Sequence, residues 1–113
     1  MPHAELKHSG DLVFDAQEVF AAIEDTIKKH DPGAGQCKCR AYPSARFQHS
    51  HILVVITMLT KDHRDDGFTR RLMADIEAEV KQRLRQDCFF SLLIEYSSSY
   101  YVTNTHVASG GGS

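Results

Sequence analysis

Ile52-Leu53-Val54-Val55-Ile56-Thr57-Met58-Leu59 is apolar at almost every position. A strand with one face in water alternates apolar and polar residues. A run without alternation belongs inside a sheet, covered on both faces and paired on both sides. The rest of this chain must therefore supply the neighbouring strands and a layer to pack over them.

Two segments have the helical period that such a layer needs. Asp15 is a candidate N-cap, with Glu18 three residues on in the manner of a capping box. Ala16, Val19, Phe20, Ile23 and Ile27 then form an apolar stripe. Lys28, Lys29 and His30 suit the C-terminal end of the helix dipole, and Asp31-Pro32-Gly33 ends the helix. A second helix is predicted over 68–85, with Phe68, Leu72, Met73, Ile76, Val80 and Leu84 as its core-facing stripe.

Three further segments read as strands. Over 2–7, Pro2, Ala4 and Leu6 share one face and His3, Glu5 and Lys7 the other, until Ser9-Gly10-Asp11 breaks the pattern. Over 37–42, Cys37, Cys39 and Ala41 point to the core, while Lys38, Arg40 and Tyr42 point away. Pro43-Ser44 opens a loop that holds Arg46, Phe47, His49 and His51. Residues 89–97 form the fourth strand. The order is β-α-β twice, and each crossover helix makes its flanking strands parallel, with a right-handed connection.

The expected fold class is α+β, an α/β two-layer sandwich. Duplicated β-α-β units give a four-stranded mixed sheet with two helices on one face. The other face carries Leu92, Ile94 and Tyr96, or their neighbours, and is left uncovered. An uncovered, partly apolar face predicts self-association, with the aromatic tail around Tyr100 and Tyr101 packing on a neighbouring subunit. Residues 1–108 are read as one domain and 109–113 as a flexible Gly/Ser tail.

A formal net charge of −2 gives no electrostatic footprint for nucleic acid. No apolar run approaches the roughly 20 residues of a membrane span. The N-terminus lacks the basic-then-apolar order of a signal peptide, so the expected location is cytoplasmic. Three cysteines, an odd number, argue against a disulfide scaffold. Cys37-x-Cys39 is assigned to the core. His49-x-His51 lacks a third ligand, so no metal site is expected. Arg64, Lys81, Arg83 and Arg85 are read as surface charge.

The chain begins Met1-Pro2-His3. Proline suits the first residue of a strand because it has no N–H to lose. If Met1 is removed, the same residue becomes a terminal secondary amine, and a base. An α-amino group titrates at about 7.7–8.0. A secondary amine starts higher, and burial beside cations brings it down toward the operating pH of a general base.

With Met1-Pro2-His3, the doubled β-α-β order, basic residues in the second strand, an arginine early in the second helix, and Asn104 and His106 in the tail, the sequence resembles the tautomerase superfamily. Within it, the sequence looks like the 5-carboxymethyl-2-hydroxymuconate isomerases. The resemblance runs to about Val107. It implies the tautomerase fold, a homotrimer with sites near subunit boundaries, and no metal or organic cofactor. It implies Pro2 as the general base that moves a proton between carbons of an unsaturated 2-hydroxy or 2-oxo dicarboxylate, in the catabolism of aromatic acids. The family's paired second-strand arginines fall on Lys38 and Arg40, expected to bind the carboxylate or developing oxyanion beside Pro2. Arg70 and Tyr42 are expected to bind substrate. Two departures stand out: Lys38 replaces an arginine, and Ala4-Glu5 replaces larger apolar residues. A tautomerase-fold hydratase or dehalogenase-like enzyme, and a non-catalytic trimeric carboxylate-binding module, are the alternatives.

Overall fold

A computed structural model describes residues 1–109. Six elements follow in order: β1 (His3–Ser9), α1 (Ala16–His30), β2 (Lys38–Ser44), β3 (His51–Met58), α2 (Asp66–Lys81) and β4 (Phe89–Tyr96). The strands form one mixed sheet in the order β2-β1-β3-β4. β1 runs parallel to β2 and antiparallel to β3, and β3 runs parallel to β4. The α+β two-layer arrangement expected from the sequence is the one observed.

The continuous apolar run becomes β3, paired on both sides. Ile52, Val54, Ile56 and Met58 face the helices and are buried. From α1, Val19, Ile23 and Ile27 are fully buried, as are Leu72, Ile76 and Val80 of α2; with Ala4 and Leu6 of β1 they make one core cluster. Burying such side chains contributes roughly 1.5–3 kcal/mol each, which is why these stripes fix the layer.

Asp15 caps α1, its carboxylate accepting the Glu18 N–H at 3.2 Å. The α2 cap is Asp65, which accepts the Phe68 N–H at 2.9 Å, so this helix starts two residues before the expected position. It also ends early, at Lys81. The N–H groups of Arg83 and Leu84 reach back only three residues, to the carbonyls of Val80 and Lys81, and form a tight turn.

Two strands run longer than expected. β1 includes Ser9, whose fully buried hydroxyl bonds to the backbone of His51. β2 continues through Pro43 to Ser44, which is tolerated because β2 is an edge strand. Gly10 allows a close approach here. Its N–H donates to the Ser44 carbonyl at 2.8 Å, and a Cβ would lie 2.7 Å from that oxygen.

The uncovered face is resolved by register. Phe90, Leu92, Ile94 and Tyr96 pack against the core on the helix side. The open face carries their neighbours, Phe89, Ser91, Leu93 and Glu95, beside Leu53, Val55 and Thr57. Residues 97–109 form no helix or strand, and Tyr100 and Val102 are almost fully exposed. The Cα radius of gyration is 15.8 Å, against about 13 Å for a compact 100-residue domain. Of the proposed Gly/Ser tail, residues 110–113 lie outside the described residues. Among the described residues no helix is long and apolar enough to cross a membrane.

Candidate active site

The N-terminal end of β1 brings Pro2 beside Lys38, with Arg40 and Tyr42 two and four residues further along β2. Pro2 is buried, and its carbonyl accepts the Lys38 N–H at 2.9 Å. His3 pairs with Lys38 on one side and Thr57 on the other; Glu5 pairs with Arg40, and Lys7 with Tyr42. Neighbours in register share a face. Lys38, Arg40 and Tyr42 therefore line the open face with His3, Glu5 and Lys7. The Pro2 nitrogen is a backbone atom at the sheet's end, so the alternation of side chains does not remove it from these groups. In the chain as it stands that nitrogen is acylated by Met1.

Lys38 is half-buried, and among the described residues its ammonium donates only to the Gln36 carbonyl, at 3.2 Å. Arg40 is far more engaged. Its Nε donates to the Tyr42 hydroxyl at 2.7 Å, Nη1 to His3 Nδ1 at 3.1 Å and Nη2 to Glu5 Oε2 at 2.8 Å. Burial and the Arg40 and Lys38 charges hold His3 below its usual 6.5, against the opposing pull of Glu5. A neutral His3 offers Nδ1 as an acceptor, as this contact requires.

Arg64 corrects the sequence reading. It is not on the surface: its side chain is 3% exposed. Nε and Nη2 both donate to Asp31 Oδ2, at 3.0 and 2.8 Å, and Nη1 donates to the Leu59 carbonyl at 2.7 Å. Asp31 is the C-cap of α1 and Leu59 follows the end of β3, so Arg64 ties these two ends together. His63 shares the same carboxylate oxygen at 2.9 Å. The sequence reads as a polar loop from Thr60 to Gly67, and the partner Asp31 lies outside any local pattern.

Arg64 matters to the site through charge. Burial, and then the charges of Arg64, Lys61 and Lys38, hold the terminal amine of Met1 below its usual 8.0, with Cys37 opposing. Both effects favour the neutral, basic form.

Arg70 is not brought to this end of the sheet within one chain. It is largely exposed and pairs with Asp66 at 2.9 Å, one turn away on α2. With Met73, Ala74, Glu77, Phe90 and Leu92 it lines a groove over β4. Three strand spacings, about 14 Å, separate β4 from β2. His49 and His51 are at the far end of β3 from Thr57. Cys37 and Cys39 are half-buried free thiols packed against the core cluster. Among the described residues no group of three or more His, Cys, Asp or Glu is placed to hold a metal ion. A recess of about 210 Å³ does lie at the Pro2 end, lined by Thr57, Met58, Glu95, Tyr96, Ser97 and Tyr101.

In architecture the chain resembles the tautomerase superfamily. No protein-family model and no curated protein matches its sequence. A 5-carboxymethyl-2-hydroxymuconate isomerase from Deinococcus radiodurans R1 superposes with a TM-score of 0.68 at 16% identity, over 92% of this chain and 90% of that one. A 5-carboxymethyl-2-hydroxymuconate delta-isomerase gives 0.67 at 17% identity, over 94% of this chain and 89% of that one. A fused 4-OT wild type symmetric trimer gives 0.65 at 10% identity, over 91% and 93%. At these identities the likeness establishes the fold.

Proposed function

We propose that this chain is a tautomerase-type isomerase acting on an unsaturated 2-hydroxy or 2-oxo acid, with Pro2 as general base once Met1 is removed. The observation that carries the reading is the buried position of Pro2, its carbonyl bonded to the Lys38 N–H, next to a terminal amine of Met1 that burial, Arg64, Lys61 and Lys38 hold below its usual value. The neutral imino nitrogen takes a proton from the 2-hydroxyl or a neighbouring carbon. The resulting ammonium returns it to another carbon of the conjugated system. Lys38, the least engaged of the expected cations, stabilises the dienolate oxygen or holds the adjacent carboxylate. Tyr42 and Arg40 form the wall on the β2 side.

The working unit of the proposal is residues 1–108 assembled as a homotrimer. Its support is the open sheet face with the part-exposed Leu53 and Leu93, the projecting tail, and the symmetric trimers among the structural neighbours. In such an assembly Arg70 reaches a site only across a subunit boundary, since its own chain holds it over β4. The dicarboxylate implied by the family resemblance calls for two free cationic grips, and Arg40 already has a carboxylate partner.

The test is ketonisation of 2-hydroxymuconate and related dienols, followed by ultraviolet absorbance, on protein whose intact mass shows that Met1 is absent. Pro2→Ala is expected to lose at least about 10²-fold in kcat/KM, the lower range for a positioned base. An unchanged rate removes Pro2 from the mechanism. Absence of turnover with retained binding of carboxylates favours the non-catalytic binding module, a reading to which the Arg40–Glu5 pair lends weight.

A further inference from the structure

We propose that Glu5 sets the charge of the substrate: its carboxylate occupies Arg40 from within the sheet, so that the site favours acids with one carboxylate over acids with two. This rests on the tautomerase reading for its chemistry, but its central claim concerns binding.

The geometry begins with register. Glu5 and Arg40 are directly paired on adjacent parallel strands. Their side chains meet at 2.8 Å, with Glu5 at 24% exposure and Arg40 at 42%. Lys7 reaches the other carboxylate oxygen only at 3.8 Å, so Arg40 is the principal partner. Every nitrogen of the guanidinium already donates to a group of this chain, namely Tyr42, His3 or Glu5. A fork that grips a carboxylate through two parallel bonds is therefore partly spent. The positive charge is also answered by a fixed negative one.

An incoming acid meets two cations in unequal states. Lys38 has no carboxylate partner among the ion pairs of the described residues, and it adjoins Pro2 through the backbone bond. One carboxylate is accommodated there. A second carboxylate directed along β2 toward Arg40 approaches Glu5, a like charge in a partly desolvated setting where repulsion is stronger than in bulk water. Discrimination of this kind works by repelling the wrong ligand. The sequence difference behind it is a single charged residue in β1.

The experiment measures equilibrium binding and turnover with paired probes. For binding, 2-oxohexanoate and 2-oxoadipate have the same carbon chain and differ in one terminal carboxylate; titration calorimetry compares them on the native protein, Glu5→Gln and Glu5→Asp. The native protein is expected to bind the monoanion at least fivefold more tightly. Glu5→Gln keeps an oxygen toward Arg40 but removes the charge. It is expected to move the ratio by about tenfold toward the dianion, while Glu5→Asp keeps the native order. For turnover, 2-hydroxypenta-2,4-dienoate and 2-hydroxymuconate are expected to follow the same order in kcat/KM. Tighter binding of the dianion by native protein, or a ratio that Glu5→Gln leaves in place, overturns the proposal. Glu5→Asp moving the ratio as far as Glu5→Gln also overturns it, because the preference is then lost while the negative charge is kept. Failure of both dienols to react, with the binding order intact, sinks the isomerase reading and leaves the role of Glu5 standing.

Discussion

Arg64 and Asp31, 33 positions apart in the chain, form a buried pair in which two guanidinium nitrogens converge on one carboxylate oxygen, at 2.8 and 3.0 Å. Breaking such a pair by removing one partner leaves the other charged and unsolvated. Asp31→Leu is therefore expected to cost about 3–5 kcal/mol in urea unfolding. The double variant Asp31→Leu/Arg64→Met should recover a large part of that loss. Equal losses from the single and double variants would show that packing, not the stranded charge, sets the cost.

The same pair predicts an acid limb. Burial works against ionisation of Asp31, yet hydrogen bonds from His63 and Arg64 outweigh it and hold the carboxyl below its usual 3.8. Below 3.8 the unfolded chain takes up this proton before the folded one does. The contribution to stability is complete above that pH and is lost as pH falls through the lower folded-state value. Unfolding free energy measured from pH 6 down to 2 should therefore fall less steeply in Asp31→Asn than in the native protein.

His3 has the opposite chemistry and the same direction. Its folded-state value lies below 6.5 because of burial and the Arg40 and Lys38 charges. Between that value and 6.5 the unfolded chain binds more protons, so stability increases with pH across this interval and levels off above it. His3→Gln should lose this increment. A native-like slope in the variant between pH 5 and 7 would assign it to another group.

Lys38 is expected to tune the base. Its charge helps to hold the terminal amine below 8.0, after burial, Arg64 and Lys61. Removing a neighbouring cation stabilises the protonated amine, so Lys38→Gln should shift the ascending, acid limb of kcat/KM to higher pH as well as lowering its plateau. The pH–rate profile of protein with a verified proline terminus provides the check. A lowered plateau with no movement of the limb would confine Lys38 to substrate binding.

Gly10 tests the junction of β1 with β2. A methyl group there meets the Ser44 carbonyl oxygen at 2.7 Å, and that oxygen belongs to the backbone. Gly10→Ala is expected to destabilise by about 1–3 kcal/mol, in the range for overpacking. Val13→Ala, at a largely exposed site, should stay within about 0.5 kcal/mol. Equal melting temperatures for the two variants would mean that the strand ends separate freely.

The core was legible because it obeys periods. The α1 stripe of Val19, Ile23 and Ile27, the α2 stripe of Leu72, Ile76 and Val80, and the unbroken β3 run all depend on burial repeating at fixed spacing. The placement of Lys38, Arg40 and Tyr42 on one face followed from strand alternation in the same way. Arg64 was illegible because its partners, Asp31 and Leu59, are brought to it by tertiary structure. The end of α2 was misplaced since Leu84 keeps the helical spacing after the backbone has turned at Arg83. The engagement of Arg40 by Glu5 needed the β1–β2 register, which periodicity within one strand does not determine.

Pro43 has a consequence for whatever meets the outer margin of β2. The Lys38 amide and the Ser44 carbonyl both bond inward to the segment containing β1, so the backbone groups of Cys39, Ala41 and residue 43 face outward. An added chain finds amide donors at Cys39 and Ala41, then an imide nitrogen with no hydrogen to offer. Hydrogen-bonded growth along that rim is stopped after two rungs, which denies a template for open-ended stacking.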